Sequence, residues 1–239
     1  MKKLISAVMI TAMMLSVSGC FLSKGNQYAK EKKKVFNAAE KVCGASELSE
    51  DEKEELLEMA DTIDSLAKYD SEALSEGFCV ELNKDDLENL QNADELKEGS
   101  SLSEVDVDPE QLDNMYTFIK KVDDDMVFSV VMDFEDKDTC EATFDGVKST
   151  FKKTITVVKV AGAKEGGVKA DSANGKKDYT FVVLQEEENK LMAVYIQYAG
   201  DTITMTTYSG APETDLFDEF CEFQDEAGFG PVGDMVDNL

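Results

Sequence analysis

Alternating or unbroken runs of apolar residues predict strands in the second half of the chain. From Met126 to Phe134 both the odd and the even positions are largely apolar, which is typical of a strand buried on both faces. We therefore expect this strand at the centre of a sheet. The alternating runs 179–184, 191–198 and 202–208 are separated by short polar turns and predict a β-meander. Residues 78–82 predict one more short strand.

Apolar residues three and four positions apart predict helices elsewhere. Such stripes occur in residues 27–42, after Ser49, after about Asp138, and between Pro212 and Gly228. Ser49 and Glu52 have the spacing of a capping box, which indicates that the second helix begins there. In the first helix the spacing predicts that the residues facing the core are Tyr28, Val35, Ala38, Ala39 and Val42.

Three further stretches are assigned on composition or spacing. Asp108 and Pro109 are suited to begin a helix, whose apolar face would consist of Leu112, Met115, Tyr116 and Ile119. The β-branched run 154–160 fits either a strand or a continuation of the helix before it. Residues 161–177 are rich in Gly, Ala, Lys and Asp, and we expect them to form a loop.

Strands that are neighbours along the chain, with helices before and after them, predict an α+β fold. The expected architecture is an antiparallel sheet, formed by the β-meander and the central strand, backed by helices. Residues 44–106 contain 21 acids but only four lysines and two aromatic residues, and such a segment cannot build a core by itself. We therefore predict an acidic helical region over residues 27–106 that packs on a main α+β domain over residues 107–239.

The first twenty residues have the three parts of a secretory signal. Lys2 and Lys3 are followed by an apolar run and then by the small residues Ser18 and Gly19, directly before Cys20. The stretch 4–19 would form a helix about 24 Å long, which is too short to span a hydrocarbon core of about 30 Å. A cleaved signal peptide is therefore favoured over a membrane-spanning helix.

Val17-Ser18-Gly19-Cys20 resembles the lipobox of bacterial lipoproteins. The resemblance implies that residues 1–19 are removed and that Cys20 carries a diacylglycerol, with palmitate-type chains, on its sulfur. Residues 20–26 would then be a lipidated tether. The protein is accordingly expected at the cell membrane, lipid-anchored on the extracytoplasmic face.

Without residues 1–19 the chain has 22 lysines and 51 acids, a net charge of −29. Such a surface repels phosphate backbones, so we expect no nucleic-acid partner. Residues 20–41 differ, because their net charge is +4. Either these lysines strengthen attachment to an anionic bilayer or they only coat a helix; those nearest the anchor are Lys24, Lys30, Lys32, Lys33 and Lys34.

The chain contains no histidine, arginine or tryptophan, which excludes His-containing triads and His-ligated metal sites. No cofactor is expected. With Cys20 lipidated, an even number of cysteines remains, which outside the cytoplasm allows either two disulfides or free thiols; the four are Cys43, Cys79, Cys140 and Cys221.

Four acids cluster at a predicted strand-to-helix turn, and they are Asp133, Glu135, Asp136 and Asp138. These acids suit either calcium or the cap of the following helix. In the meander, Thr202, Thr204, Thr206 and Tyr208 share one strand face, which suits a binding surface or the solvent-exposed side of a sheet.

The function predicted from these features is a binding or structural role in the bacterial cell envelope, without a specific activity. A surface hydrolase that uses paired carboxylates is the alternative, because acids are the abundant catalytic residue type of this chain. The sequence leaves the protein or small-molecule partner open.

Overall fold

The structure is a computed structural model that describes residues 26–59, 71–86, 111–165, 167–230 and 232–239. Within them, the helices are α1 (Asn26–Cys43), α2 (Glu50–Met59), α3 (Ser71–Glu76), α4 (Lys137–Glu165), α5 (Asp215–Ala227) and α6 (Val232–Asp237). The strands are β1 (Ser46–Glu47), β2 (Phe78–Asn83), β3 (Leu112–Val122), β4 (Asp125–Phe134), β5 (Val168–Asn174), β6 (Asp178–Gln185), β7 (Lys190–Ala199) and β8 (Thr202–Gly210). The expected signal peptide, Cys20 and Lys24 lie outside the described residues.

The fold is α+β, as predicted. All eight strands form one sheet in the order β1-β2-β3-β4-β8-β7-β6-β5. The short β1 pairs with β2 in parallel, and every other neighbouring pair is antiparallel. Strand β4 lies inside the sheet between β3 and β8, and residues 126–134 are buried without exception, which confirms the central strand. The predicted β-meander is confirmed as β6, β7 and β8.

Helices cover both faces of the sheet, and each face has its own core. On one side, called the α1 face, helices α1, α5 and α6 pack against residues that include Tyr116, Phe118, Val127 and Tyr208. On the other side, called the α4 face, α4 and residues of α2 and α3 pack against Phe128, Val130, Phe181 and Ile196. None of the helices that the structure describes is long and apolar enough to cross a membrane.

Helix α1 has the buried face that its spacing predicts. Tyr28, Val35, Ala38 and Ala39 are buried, and Val42 is half-buried. The helix ends at Cys43, where Gly44 takes a left-handed conformation with φ +70° and Ala45 N donates to Ala39 O at 3.1 Å. The capping box of α2 is confirmed as well, because Ser49 N donates to Glu52 Oε2 at 2.8 Å and Glu52 N donates to Ser49 Oγ at 3.4 Å.

The helix predicted after Pro109 is wrong, because residues 112–122 form strand β3. The helical spacing of its apolar residues is real, but Thr117 and Phe118 between them are buried too. Strand β3 pairs with β2 on one side and with β4 on the other. Cross-strand hydrogen bonds and burial on both faces therefore override the local pattern, as sheet contacts often override propensity.

The loop predicted over residues 161–177 is also wrong in most of its length. The run 154–160 is helical, and α4 continues to Glu165. Residues 168–174 form β5, which pairs with β6 from Val168↔Gln185 to Asn174↔Tyr179. Tertiary pairing of this segment decides its structure, since its composition has little β-propensity of its own.

Helix α5 confirms the last predicted helix but begins later than expected. Thr214 is its N-cap, and its Oγ1 accepts a hydrogen bond from Phe217 N at 3.3 Å; Pro212 lies two residues before the cap. The inward side chains are those expected, namely Leu216, Phe220, Phe223 and Ala227. Gly228 ends the helix with φ +69°, and the short α6 after it was not predicted.

Candidate functional site

The four described cysteines are free thiols. Cys43, Cys79 and Cys221 contribute to the core of the α1 face, and Cys140 to that of the α4 face. Any set of two disulfides would include Cys140, which the sheet separates from the other three. The two disulfides that the cysteine count allows are therefore not present in this structure.

Burial raises the pKa of each thiol, to about 12 for Cys43, about 12 for Cys79 and about 11 for Cys221. Burial also raises the pKa of Cys140 above its usual range. The nucleophilic form of cysteine is the thiolate. The four groups are thus protonated near neutral pH and do not suit nucleophilic catalysis.

The structure does not bring the candidate calcium ligands together. Asp133 is buried at the end of β4, and its side chain belongs to the α1 face. Glu135, Asp136 and Asp138 are exposed. Asp136 caps α4, since its carboxylate accepts from Asp138 N and Thr139 N, each at 2.9 Å, and from Thr139 Oγ1 at 2.7 Å. Among the described residues, no three His, Cys, Asp or Glu side chains are placed to hold a metal ion.

A carboxylate cluster lies at one end of the sheet, formed by Asp113 at the start of β3, Asp133 at the end of β4 and Asp201 between β7 and β8. Asp133 Oδ2 accepts from Asn114 Nδ2 at 3.4 Å, and Phe134 N donates to Asp201 O at 2.8 Å, which fixes the β7–β8 turn beside Asp133. Asp133 and Asp201 are each only 9% exposed.

Burial raises the pKa of Asp133 to about 6, and the charges of Asp201 and Asp113 raise it further against the hydrogen bond from Asn114. Burial likewise raises the pKa of Asp113, and Lys84 opposes that shift. Burial thus raises the pKa of two carboxyls of this cluster.

The polar row of β8 is not a solvent-exposed surface. Thr202, Thr204, Thr206 and Tyr208 do share one face, but all four are buried, because that face lies beneath α1 and α5. Gln224 of α5 donates through Nε2 to Thr206 Oγ1, and Tyr208 Oη donates to Ala211 O at 2.6 Å. The row therefore joins the sheet to α5, and neither of the uses predicted for it applies.

Several lysines of the basic segment 20–41 form ion pairs within the protein. Lys32 Nζ lies 2.6 Å from Glu81 Oε2, and Lys34 Nζ lies 2.9 Å from the buried Glu31. Lys41 Nζ contacts Glu226 of α5 at 2.5 Å. Lys30 and Lys33 are exposed on the outer side of α1. These two side chains are the part of the predicted basic patch that the folded helix leaves available to a surface.

A groove of about 520 Å³ follows the outer edge of β5. Its floor is formed by residues 168–171 of β5, and its walls by Lys159 and Gly162 of α4 and by Asn238 and Leu239 after α6. The sequence does not reveal this groove, because the composition of residues 168–174 predicts a loop there and not a strand. Charge is the feature of the sequence that could have indicated a site in this region, since residues 146–177 contain eight lysines and two acids in a strongly acidic chain.

No protein-family model matches this chain, and no curated protein matches it. Among solved structures, the crystal structure of the extracellular domain of PknH from Mycobacterium tuberculosis is similar over 49% of this chain and 66% of that chain, with 14% sequence identity and a TM-score of 0.33. The match thus spans slightly less than two thirds of that domain. So remote a similarity carries no conclusion about the role of this protein.

Proposed function

We propose that this protein is a lipoprotein anchored through Cys20 to the extracytoplasmic face of the cell membrane, where its α+β domain has a binding or structural role in the envelope. One observation carries the proposal: a basic start, an apolar run and Val17-Ser18-Gly19-Cys20 follow one another in the order of a lipoprotein signal. Helix α1 begins at Asn26, so at most six peptide units, about 22 Å of extended chain, would separate the lipid from the folded domain.

The exposed lysines of α1 would assist the anchor. Lys30 and Lys33 lie on the first turns of the folded domain and, with Lys24, would face an anionic bilayer at the distance that the tether permits. Each lysine near such a surface contributes about 1 kcal/mol of attraction. One lipid group combined with a basic patch holds a protein more firmly than a single acyl chain.

A binding or structural role is better supported than catalysis. The thiols are protonated, and the chain contains no histidine. The alternative of a two-carboxylate hydrolase also needs acids that a substrate can reach, and Asp133 and Asp201 are both buried. The groove at β5 is a concave feature that a partner can reach.

The anchor is tested by intact-mass and membrane-fractionation measurements on the chain expressed in a bacterial host. We expect a mature protein that begins at Cys20 with a diacylglycerol, found in the membrane fraction. Cys20→Ser should abolish the lipid and leave unprocessed precursor. The matched control is Cys221→Ser, which changes a half-buried thiol and should leave the lipid and the fractionation as they are. A mature chain that starts elsewhere, or one without lipid, would contradict the proposal.

A further inference from the structure

Strand β5 has a free edge. It is the last strand in the sheet order, and its seven residues pair only with β6 among the described strands. None of its side chains is fully buried. The backbone groups of Val168, Ala170, Ser172 and Asn174 point away from β6. The Val168 carbonyl oxygen lies against Gly162 of α4, and Ser172 N donates to Asp171 Oδ1 at 2.8 Å, so the groups of Ala170 and Asn174 are the ones open to another extended chain.

The groove beside β5 has the shape that a further strand would fill. Helix α4 lies on one face of the sheet, and the residues after α6 lie on the other. Lys159 and Gly162 thus form a wall on the α4 face, and Asn238 and Leu239 form a wall on the α1 face. A strand added at this edge would lie between the two walls with its side chains directed alternately toward each.

The segment that contains most of α4 and all of β5 is basic, in contrast to the rest of the chain. Residues 146–177 contain eight lysines against Glu165 and Asp171, a net charge of +6; the remaining residues contain 16 lysines and 49 acids, a net charge of −33. Lys159 contacts Asp171 at 3.6 Å, and Lys169 contacts Glu186 at 2.6 Å. All four of these side chains are substantially exposed, and such pairs are weak.

Five other lysines of this basic segment, 146–177, are exposed and make no ion pair with any residue that the structure describes; they are Lys152, Lys153, Lys164, Lys176 and Lys177. The same end of α4 exposes two large apolar side chains, Val157 at 68% and Val160 at 54%. These valines lie on the side of α4 that points away from β5, so the lysines alone indicate the partner, which is anionic. Charge complementarity of this kind mainly sets specificity and the rate of association.

We propose that the edge of β5 binds an extended acidic segment of a partner polypeptide, which joins the sheet as an additional strand and directs its carboxylates to the lysines of residues 146–177. Main-chain hydrogen bonds supply affinity in this mode of recognition, and the flanking side chains supply specificity. The inference names the partner of the binding role proposed above; it rests on that role and not on the lipid at Cys20.

An anionic bilayer is a less suitable occupant of this surface. The tether leads into α1, and α1 covers the opposite face of the sheet from α4. A membrane in contact with the outer side of α4 would lie on the far side of the domain from the lipid. A bilayer also offers no backbone groups to pair with the free edge of β5.

The test uses the full chain in uncharged detergent micelles and a capped peptide of alternating glutamate and valine, equal in length to the seven residues of β5. Titration calorimetry should show saturable binding that weakens as salt is added. The double variant Lys159→Glu, Lys169→Glu should weaken binding by about tenfold or more. The matched control is Lys30→Glu, Lys33→Glu, which makes the same charge change on α1 and should leave binding within about twofold.

A second peptide separates strand addition from simple charge attraction. N-methylation of every valine amide removes main-chain donors but keeps all side chains, and it should weaken binding by about tenfold or more. Hydrogen exchange of the β5 amides should slow with the unmodified peptide only. Equal binding of the two peptides would overturn the proposal.

Two further results would also overturn the proposal. One is the absence of any binding at about 1 mM peptide. The other is a combination of two observations: hydrogen exchange of the β5 amides does not change with the peptide, and the double variant Lys159→Glu, Lys169→Glu loses binding to vesicles of anionic lipid. The surface would then be a lipid site. The lipid on Cys20 is measured separately by mass, so a failure here is distinguishable from a failure of the anchor.

Discussion

Asp133 is a carboxyl held in an environment that disfavours its charge. Its side chain lies beneath the N-terminal end of α1 at the sheet end that also carries Asp113 and Asp201. Burial raises its pKa from 3.8 to about 6, so ionisation of Asp133 at neutral pH destabilises the folded protein. Because the pKa in the folded state lies above the pKa in the unfolded state, this destabilisation is absent below about pH 4 and is complete above about pH 6.

Asp133→Asn should therefore stabilise the protein more at neutral than at acidic pH. The difference in the free energy of unfolding between the variant and the wild type should rise by about 2 kcal/mol from pH 4 to pH 7.5. Urea unfolding at a series of pH values measures this difference. Glu135→Gln is the control, because it makes the same kind of change, from carboxyl to amide, at an exposed position on the following turn. A pH-independent difference for Asp133→Asn would show that the carboxyl is not held in this way.

The polar row beneath α1 and α5 contains two threonines that differ in hydrogen bonding. Thr204 and Thr206 are both almost completely buried. The Oγ1 of Thr206 accepts a hydrogen bond from Gln224, and that of Thr204 has no hydrogen-bond partner within the described part of the chain. A buried hydroxyl without a partner costs stability, and a paired one leaves its partner unsatisfied when it is removed.

Substitution by valine, which keeps the shape and the β-branch, should separate these two cases. Thr204→Val should raise the free energy of unfolding by about 1 kcal/mol, and Thr206→Val should lower it by about 1 to 3 kcal/mol. Chemical denaturation of both variants under one condition gives the comparison. Loss of stability in both would indicate that Thr204 has a hydrogen-bond partner after all.

At the scale of elements, Gly162 allows α4 to pack closely against β5. Gly162 lies where the helix meets β5, and a Cβ atom there would overlap the backbone carbonyl oxygen of Val168. Gly146 is in the same helix, and a Cβ atom there would meet nothing within 4 Å. Both glycines lower the intrinsic stability of the helix relative to alanine. Only Gly162 also allows the helix to approach a strand closely.

Alanine substitutions at the two glycines should consequently have opposite effects. Gly146→Ala should stabilise the protein by up to about 1 kcal/mol through helix propensity. Gly162→Ala should destabilise it by about 1 to 3 kcal/mol, since either α4 or β5 must move. Thermal unfolding of both variants measures the signs. If both stabilise the protein, α4 and β5 are not in close contact.

The elements that the sequence predicts correctly are those whose own pattern matches their final burial. Helices α1 and α5 each bury one stripe and expose the other side, so the spacing of apolar residues identifies them. Strand β3 is the opposite case, because Met115 and Ile119 have helical spacing by coincidence while Tyr116, Thr117 and Phe118 between them are buried as well. Strand β5 forms because it pairs with β6, since its own composition has little β-propensity.

At the scale of the whole molecule, β4 and β8 join the two parts of the sheet. They pair from Met126↔Ser209 to Asp133↔Thr202, so β1–β4 and β5–β8 form one continuous sheet with two separate cores. This arrangement also separates the charges, since the basic segment 146–177 ends in β5 at one edge of the sheet and the acidic residues 44–106 include the strand β2 near the other edge. The molecule is therefore asymmetric along its sheet as well as across it.

The sequence by itself determines the features that depend on order along the chain. It predicts the lipobox-like signal, the net charge, the α+β class and the main helices, because each rests on residue types at short spacing. Only the tertiary structure decides that Cys140 is separated from the other thiols and that the threonine row of β8 is buried. It also decides that β5 is an edge strand with a groove beside it. These properties depend on which segments become neighbours, and that choice is made by long-range pairing and packing.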